Sequence, residues 1–178
     1  FPINILENDQ FQPDFLRISP NNKIPAIVDQ DGPKGEAISV FESGAILQYL
    51  GRKTGQFYPS DEQSRVEVEQ WLMWQMGGFG PMLGQNHHFS KFAPERIGYA
   101  TERYVNETKR LYGVLDKQLF GQNYVAGEYS IADMAIFPWI LRYEWQQIDI
   151  NDYSNVKAYM ERIQARPAVQ RALALQVN

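Results

Sequence analysis

The nine residues "NNKIPAIVD", positions 21–29, decide the first part of the fold. Ala26–Val28 is a short apolar run whose two β-branched residues are typical of a buried strand. Pro25 stands at the start of this run, although it has no N–H to donate to a strand ladder. An X-Pro bond adopts the cis form at a cost of about 0.5–1 kcal/mol, against roughly 2.5–4 for other residues. A cis Ile24–Pro25 bond would turn the main chain of Ile24 outward, where it could pair with an extended peptide.

A second motif follows one predicted hairpin later, in "VFESGAI" at positions 40–46. Here a strand runs directly into a helix, whose N-terminus offers unpaired N–H groups and the positive end of the helix dipole. Ser43 adds a hydroxyl donor and Glu42 can accept from an ammonium group, so the pair suits an α-amino-acid head group. Helix capping by Ser43 or Glu42 and a trans Pro25 at a strand start are the simpler alternatives, and each motif alone favours them. The two motifs together are more specific for a small peptide.

The periodicity of apolar residues predicts two regions of different kind. Up to Gly55, candidate strands alternate with candidate helices; the strands are Ile3–Leu6, Ala26–Asp29 and Ala37–Val40, and the helices are Asp14–Ile18 and Glu42–Thr54. Beyond about Ser60, strand signals end and helical periods take over, at residues 63–76, 94–119, 130–148, 156–166 and 167–175. We therefore predict an α/β domain at residues 1–55 and an all-helical domain at residues 61–178.

Several motifs in the helical region favour structural roles. Ser130–Asp133 reads "SIAD", a capping-box pattern at a helix start. The adjacent residues His87–His88 point in different directions on a helix and lack a third ligand at metal spacing, so we predict no metal site. For Asn86 and Gln85, structural hydrogen bonding is favoured over a place at the rim of a ligand cleft.

Composition excludes several functional classes. The chain of 178 residues has a net charge of −4 and no basic stripe, which argues against nucleic-acid binding. The uncharged run Gln70–Ser90 contains too many polar residues for a membrane span. No cysteine is present, so a disulfide, a thiolate metal site and a cysteine nucleophile are excluded. Any thiol chemistry therefore needs a thiol that a ligand brings in, and the composition fits a reducing compartment.

Three longer stretches carry a family resemblance. "FLRISPNNKIPAIVD", "FESGAILQYL" and "WQMGGFGPMLGQNHHF" resemble the glutathione S-transferase superfamily, and within it the bacterial Nu-class enzymes and the fungal Ure2-like proteins. The resemblance covers essentially the whole chain. It implies a thioredoxin-like domain, incomplete in this chain, followed by an all-α helical bundle, in a cytoplasmic homodimer.

The resemblance also implies a function and a ligand. It implies a glutathione-binding, transferase-like enzyme that acts on a small electrophile or disulfide, foremost as a glutathione-dependent disulfide-bond reductase. Two alternatives stay open: conjugation of glutathione to electrophiles in detoxification, and glutathione binding without turnover by a regulatory protein of the same fold.

Specific residues match the family's glutathione site. Ile24, which precedes the cis proline Pro25, would pair with the cysteinyl main chain of glutathione. Glu42–Ser43 would bind its γ-glutamyl end. Three further residues are candidates for contacts near the glycyl end: Lys23, Gln10 and Arg103, the last from the helical domain.

The catalytic residue has no candidate in this sequence. In the family, a small hydroxyl or amide side chain after the first strand stabilises the thiolate, whereas Phe1–Leu6 matches the second strand. We therefore leave this residue unnamed and expect the natural protein to be longer, since a complete βαβ unit needs about 30 residues or more.

Overall fold

The computed structural model describes residues 1–175, which divide into one compact unit within residues 1–56 and another within residues 57–175. The first unit mixes strands and helices. The second is built of helices and short turns, with no strand among its described residues. Residues 176–178, the end of the predicted helical domain, lie outside the described part of the chain.

The first unit contains a two-stranded antiparallel sheet and two α-helices. In chain order its elements are helix α1 (Pro13–Ile18), strand β1 (Ala26–Asp29), strand β2 (Ile38–Phe41) and helix α2 (Ser43–Thr54), with 3-10 turns at Asp9–Phe11 and Pro33–Gly35. The ladder pairs Ala26 with Phe41 at one end and Asp29 with Ile38 at the other. Helix α2 ends at Gly55, whose φ of 66° is the left-handed conformation that glycine adopts without a steric cost.

The predicted strand Ile3–Leu6 is wrong. The segment forms a turn, because the side chain of Asn4 accepts from the N–H of Leu6 at 3.1 Å. The carboxylate of Asp9 also accepts from the N–H of Asn4 at 2.8 Å. A strand needs a neighbour to pair with, and the sheet of the described residues contains β1 and β2 alone. Local side-chain bonds therefore satisfy this backbone.

The second unit is a set of helices around one apolar core. Its α-helices are α3 (Glu62–Trp74), α4 (Gly80–His87), α5 (Gly98–Gln118), α6 (Ile131–Ile140), α7 (Ser154–Gln164) and α8 (Pro167–Leu173). Its shorter turns are π-helical at Gln75–Phe79 and His88–Phe92, and 3-10 at Tyr143–Gln146 and Ile150–Asp152. The helix predicted for residues 130–148 is shorter in the structure, because Pro138 removes one backbone donor and the chain turns after Ile140. No helix within residues 1–175 has both the length and the apolar character needed to cross a membrane.

The capping box predicted at the start of α6 is confirmed. The N–H of Ser130 donates to Asp133 Oδ2 at 2.8 Å. Asp133 Oδ1 accepts from the N–H of Val125 at 3.0 Å and from the Tyr159 hydroxyl at 2.9 Å. Burial raises the pKa of Asp133, although these hydrogen bonds act in the opposite direction. The box therefore joins the start of α6 to helix α7 and has a folding role.

Candidate functional site

A tight turn carries the chain from helix α1 to the entrance of strand β1. Within it, the Ser19 hydroxyl donates to the carbonyl oxygen of Lys23 at 2.7 Å. The Ile24–Pro25 peptide bond that follows is cis, the form that the resemblance implies. Ile24 is 53% exposed and lies outside the β1–β2 ladder, whose first pair is Ala26 and Phe41. Its main chain is therefore not used by the ladder.

The junction between β2 and α2 lies at Glu42. This residue has φ 66° and ψ 118°, a positive φ that a residue with a Cβ seldom adopts. Such conformations cost about 1–3 kcal/mol and concentrate at functional sites. They allow a strand to pass directly into a helix, so that Ser43 becomes the first residue of α2. The first turn of α2 thus begins beside the end of the sheet, with the dipole's positive end at Ser43.

The antiparallel register brings the two motifs together. Because Ala26 pairs with Phe41, continuing the register by one residue sets Pro25 opposite Glu42. A side-chain contact spans the same gap, since Asn21 Nδ2 donates to Glu42 Oε1 at 3.5 Å. This end of the first unit therefore combines exposed main chain at the strand entrance, a carboxylate, and a helix N-terminus with a hydroxyl. Such a set can hold an extended peptide that ends in an α-amino-acid head group.

The remaining predicted site residues are Lys23 and Gln10 in the first unit and Arg103 in the second unit. Lys23 adjoins Ile24 and its side chain is exposed. Gln10 Nε2 donates to the carbonyl of Ile5 at 3.4 Å, and its Oε1 is buried without a partner among the described residues. Arg103 lies on α5 in the second unit, where it lines a groove of about 680 Å³ with Met82, Tyr99, Glu102, Tyr104, Asn106, Glu107 and Arg110. The roles of Lys23, Gln10 and Arg103 in ligand binding stay predictions.

A polar cluster at the opposite end of α2 holds this helix against the sheet. Asp29, the last residue of β1, accepts from Lys53 Nζ at 2.5 Å and from the Tyr49 hydroxyl at 2.6 Å. The Lys53 hydrogen bond, followed by that of Tyr49, lowers the pKa of Asp29 to about 2. This cluster was not predicted from the sequence. The sequence feature that could have indicated the cluster is the pair Tyr49 and Lys53, which are four residues apart and hence lie on one face of the helix.

The motif "GPMLGQNHHF" is mostly internal. Asn86 is fully buried, and its Nδ2 donates to Thr108 Oγ1 and to the carbonyl of Gln146, each at 2.9 Å. The structural interpretation of Asn86 is therefore confirmed over a place at a cleft rim. His87 Nε2 lies 3.0 Å from Gln146 Nε2, and because an amide nitrogen is a donor, the histidine nitrogen must accept.

The environment of His87 favours the neutral ring. Burial is the main cause that lowers the pKa of His87, and the nearby charges of Arg142 and Lys91 act in the same direction. The ring contacts two indoles: it stacks on Trp139 with a centroid distance of 5.8 Å and meets Trp145 edge-on with a centroid distance of 5.7 Å. Residues 1–175 contain no group of three or more histidine, aspartate or glutamate side chains placed to hold a metal ion.

Comparison with known proteins identifies the family. The glutathione S-transferase N-terminal domain model matches residues 2–52, and the C-terminal domain model matches residues 81–167. The chain belongs to the glutathione S-transferase family, and the predicted fold class, a thioredoxin-like domain followed by a helical domain, is confirmed.

Two curated relatives come from Escherichia coli. The disulfide-bond oxidoreductase YfcG is 54% identical over 175 residues, a match that covers 96% of this chain and 80% of the relative. The disulfide-bond oxidoreductase YghU is 43% identical over 178 residues, which covers 95% of this chain and 61% of the relative. The predicted resemblance to this branch of the family is thereby confirmed.

Solved structures of similar proteins contain glutathione. A Burkholderia graminis glutathione transferase with two glutathione molecules per subunit matches with a TM-score of 0.91 and 46% identity, covering 96% of this chain and 75% of that one. A Pseudomonas putida glutathione transferase with one glutathione disulfide per subunit matches with a TM-score of 0.93 and 44% identity, covering 98% of this chain and 79% of that one.

Proposed function

We propose that the full-length protein is a glutathione-dependent disulfide-bond reductase. The observation that carries the proposal is the meeting of exposed main chain at Ile24–Pro25 with the helix N-terminus at Glu42–Ser43. The activity named for YfcG and YghU, and the glutathione disulfide bound by the Pseudomonas putida protein, support the choice of reaction.

The tripeptide lies extended beside the strand entrance. Its cysteinyl N–H and C=O pair with the main chain of Ile24, in the manner of a strand added to a sheet edge. Its γ-glutamyl carboxylate accepts from the first turn of α2 and from the Ser43 hydroxyl, and its ammonium group donates to Glu42. Lys23 supplies a positive charge toward the glycyl carboxylate, for which Gln10 and Arg103 are the further candidates.

The chemistry is thiol–disulfide exchange in two steps. The glutathione thiolate attacks one sulfur of the substrate disulfide, so that the S–S bond breaks, a mixed disulfide forms and a substrate thiolate leaves. A second glutathione thiolate then attacks the glutathione sulfur of the mixed disulfide, which releases the other substrate thiol and leaves glutathione disulfide. Both attacking thiolates are those of glutathione, because the chain contains no cysteine.

We also propose that the protein acts as a cytoplasmic homodimer. Two exposed apolar side chains on α3 support an interface, since Val66 is 40% exposed and Met73 is 50% exposed. The absence of cysteine fits a reducing compartment. The proposal of a reducing role is distinct from detoxification by conjugation, which would join glutathione to a carbon electrophile.

The test uses the full-length protein with hydroxyethyl disulfide and glutathione, and a parallel calorimetric titration with glutathione. Reduction of the disulfide together with saturable binding is the expected result. Binding without turnover of the disulfide or of a carbon electrophile would support the regulatory alternative. Turnover of the carbon electrophile alone would support conjugation. If the protein neither binds glutathione nor turns over either substrate, the proposal is wrong.

A further inference from the structure

Ser19 uses each of its polar groups within the turn that leads to the candidate site. Its backbone N–H donates to the carbonyl of Phe15 in α1 at 2.9 Å, and its own carbonyl accepts from the N–H of Asn22 at 2.9 Å. Its hydroxyl donates to the carbonyl of Lys23 at 2.7 Å, and the residue is 1% exposed. Since Phe15 is buried in the core of the first unit, Ser19 ties the turn to a fixed part of that unit.

The bond to Lys23 has a direct effect on Ile24. The carbonyl of Lys23 and the N–H of Ile24 belong to one peptide group, which is planar and trans. In a trans peptide the C=O and N–H point in opposite directions, so an anchor on the carbonyl sets the direction of the N–H. The Ser19 hydroxyl therefore fixes the carbonyl of the Lys23–Ile24 peptide group, and the N–H of Ile24 points away from Ser19.

We propose that Ser19 is a positioning residue for glutathione, acting through the Lys23–Ile24 peptide group. The inference rests on the proposed function, because that function assigns the Ile24 main chain to the cysteinyl part of the ligand. Without the hydroxyl, the peptide group can rotate about its flanking bonds, and ligand binding must then order it again. Ordering of backbone at the moment of binding reduces affinity.

The experiment compares three variants of the full-length protein. Ser19→Ala removes the anchor, and Ser19→Thr keeps a hydroxyl. Thr54→Ala is the matched control, because the Thr54 hydroxyl also donates to a backbone carbonyl, that of Leu50, at 2.7 Å, but at the other end of α2 from Ser43. Each variant is measured for its glutathione Kd, for the glutathione KM and kcat in disulfide reduction, and for its melting temperature.

Ser19→Ala is expected to raise both Kd and the glutathione KM about tenfold, the effect of losing one hydrogen bond of ordinary strength, with kcat within about twofold. Ser19→Thr should restore most of the affinity, and Thr54→Ala should bind normally even where it melts earlier. Unchanged affinity in Ser19→Ala, beside a weakened Ser43→Ala, would overturn the role of Ser19 while leaving the proposed function standing. Loss of affinity in Thr54→Ala to the same extent would also overturn it.

If Ser19→Ala does not fold, a measurement on the unaltered protein tests the premise of the inference, which is the contact of the Ile24 main chain with glutathione. In the ¹⁵N-labelled full-length protein, the Ile24 amide signal should shift on addition of glutathione, since this N–H is the group that Ser19 directs. An Ile24 amide that does not move at saturating glutathione overturns the inference.

Discussion

Two polar clusters in this molecule, one in each unit, differ in how far they are exposed to solvent. In the second unit, Asn86 and Gln146 are fully buried and bonded on several sides. In the first unit, Ile24, Glu42 and Ser43 lie where a ladder ends and a helix begins. The buried cluster stabilises the fold, whereas the strand-end cluster has geometry to offer a ligand. One distinctive sequence motif therefore marks the core of the second unit, and the other marks the candidate site of the first unit.

Removing a member of the buried cluster should have the largest effect on stability. Gln146 Oε1 accepts from the Tyr112 hydroxyl at 2.7 Å, and its Nε2 donates to the carbonyl of Trp139 at 2.8 Å. Gln146→Ala leaves these groups and His87 without their partner and opens a cavity, at a cost of about 3–5 kcal/mol. Denaturant unfolding measures the loss.

The neighbouring residue supplies the control. Gln147 is exposed and donates to Ser90 Oγ at 3.1 Å, so Gln147→Ala should cost less than about 1 kcal/mol. Equal losses of unfolding free energy in Gln146→Ala and Gln147→Ala would show that the buried hydrogen bonds of Gln146 do not stabilise the fold more than an exposed one does.

Removing the hydroxyl at the start of α2 should have the largest effect on binding. Ser43→Ala is expected to weaken glutathione binding by about 1.5–3 kcal/mol, the range for a hydrogen bond to a charged group. Calorimetry on the full-length protein measures this. Ser39→Ala is the control, because Ser39 is an exposed residue of β2 and should leave affinity unchanged. If Ser43→Ala binds as tightly as Ser39→Ala, the assignment of the γ-glutamyl end to this helix is wrong.

The cap of α6 should give a moderate loss of stability without a loss of binding. Ser130→Ala removes the cap side chain and should cost about 0.5–2 kcal/mol of unfolding free energy. Thermal unfolding and glutathione titration are measured on the same samples. Ser60→Ala, at an exposed position, serves as the control. A large change in glutathione affinity for Ser130→Ala would contradict the purely structural role of the capping box.

The cluster at the other end of α2 should give the smallest effect, and one that depends on pH. The pKa of Asp29 is about 2 in the folded protein, below its ordinary value of 3.8, chiefly because of Lys53. The ionised form is therefore favoured by folding, so this contribution is complete above about pH 3.8 and is lost as the pH falls toward about 2.

Lys53→Met tests that contribution. The difference in unfolding free energy between the unaltered protein and Lys53→Met should be small at neutral pH, because the pair faces solvent, and should shrink further through the acidic range. Lys34→Met, at an exposed turn, should show no such pH dependence. A difference that stays constant down to pH 2 would contradict the role of Asp29.

Local chemistry explains which features the sequence could predict. The hairpin, α2 with its terminal Gly55, and the capping box at Ser130–Asp133 follow from short-range patterns, and the structure contains all of them. The helix predicted through residue 148 ends at Ile140, because a proline near its end outweighs apolar periodicity. The strand expected at Ile3–Leu6 is absent, because pairing depends on a neighbour that local sequence does not report.

The candidate site was predictable in part. Ile24 and Glu42–Ser43 could be recognised because main-chain chemistry at a proline and at a helix start is local. The roles of Ser19 and of the contact between Asp29 and Lys53 were not predicted, because each depends on how the turn or the sheet folds. The sign of φ at Glu42 likewise depends on how strand and helix meet.

The proposed glutathione site is tested most directly by a crystal structure of the full-length protein grown with saturating glutathione. We expect the cysteinyl main chain to pair with Ile24, the γ-glutamyl carboxylate to lie at the N–H and hydroxyl of Ser43, and the ammonium group to lie at Glu42. Glutathione bound elsewhere, with this end of the first unit unoccupied, would show that the assignment is wrong.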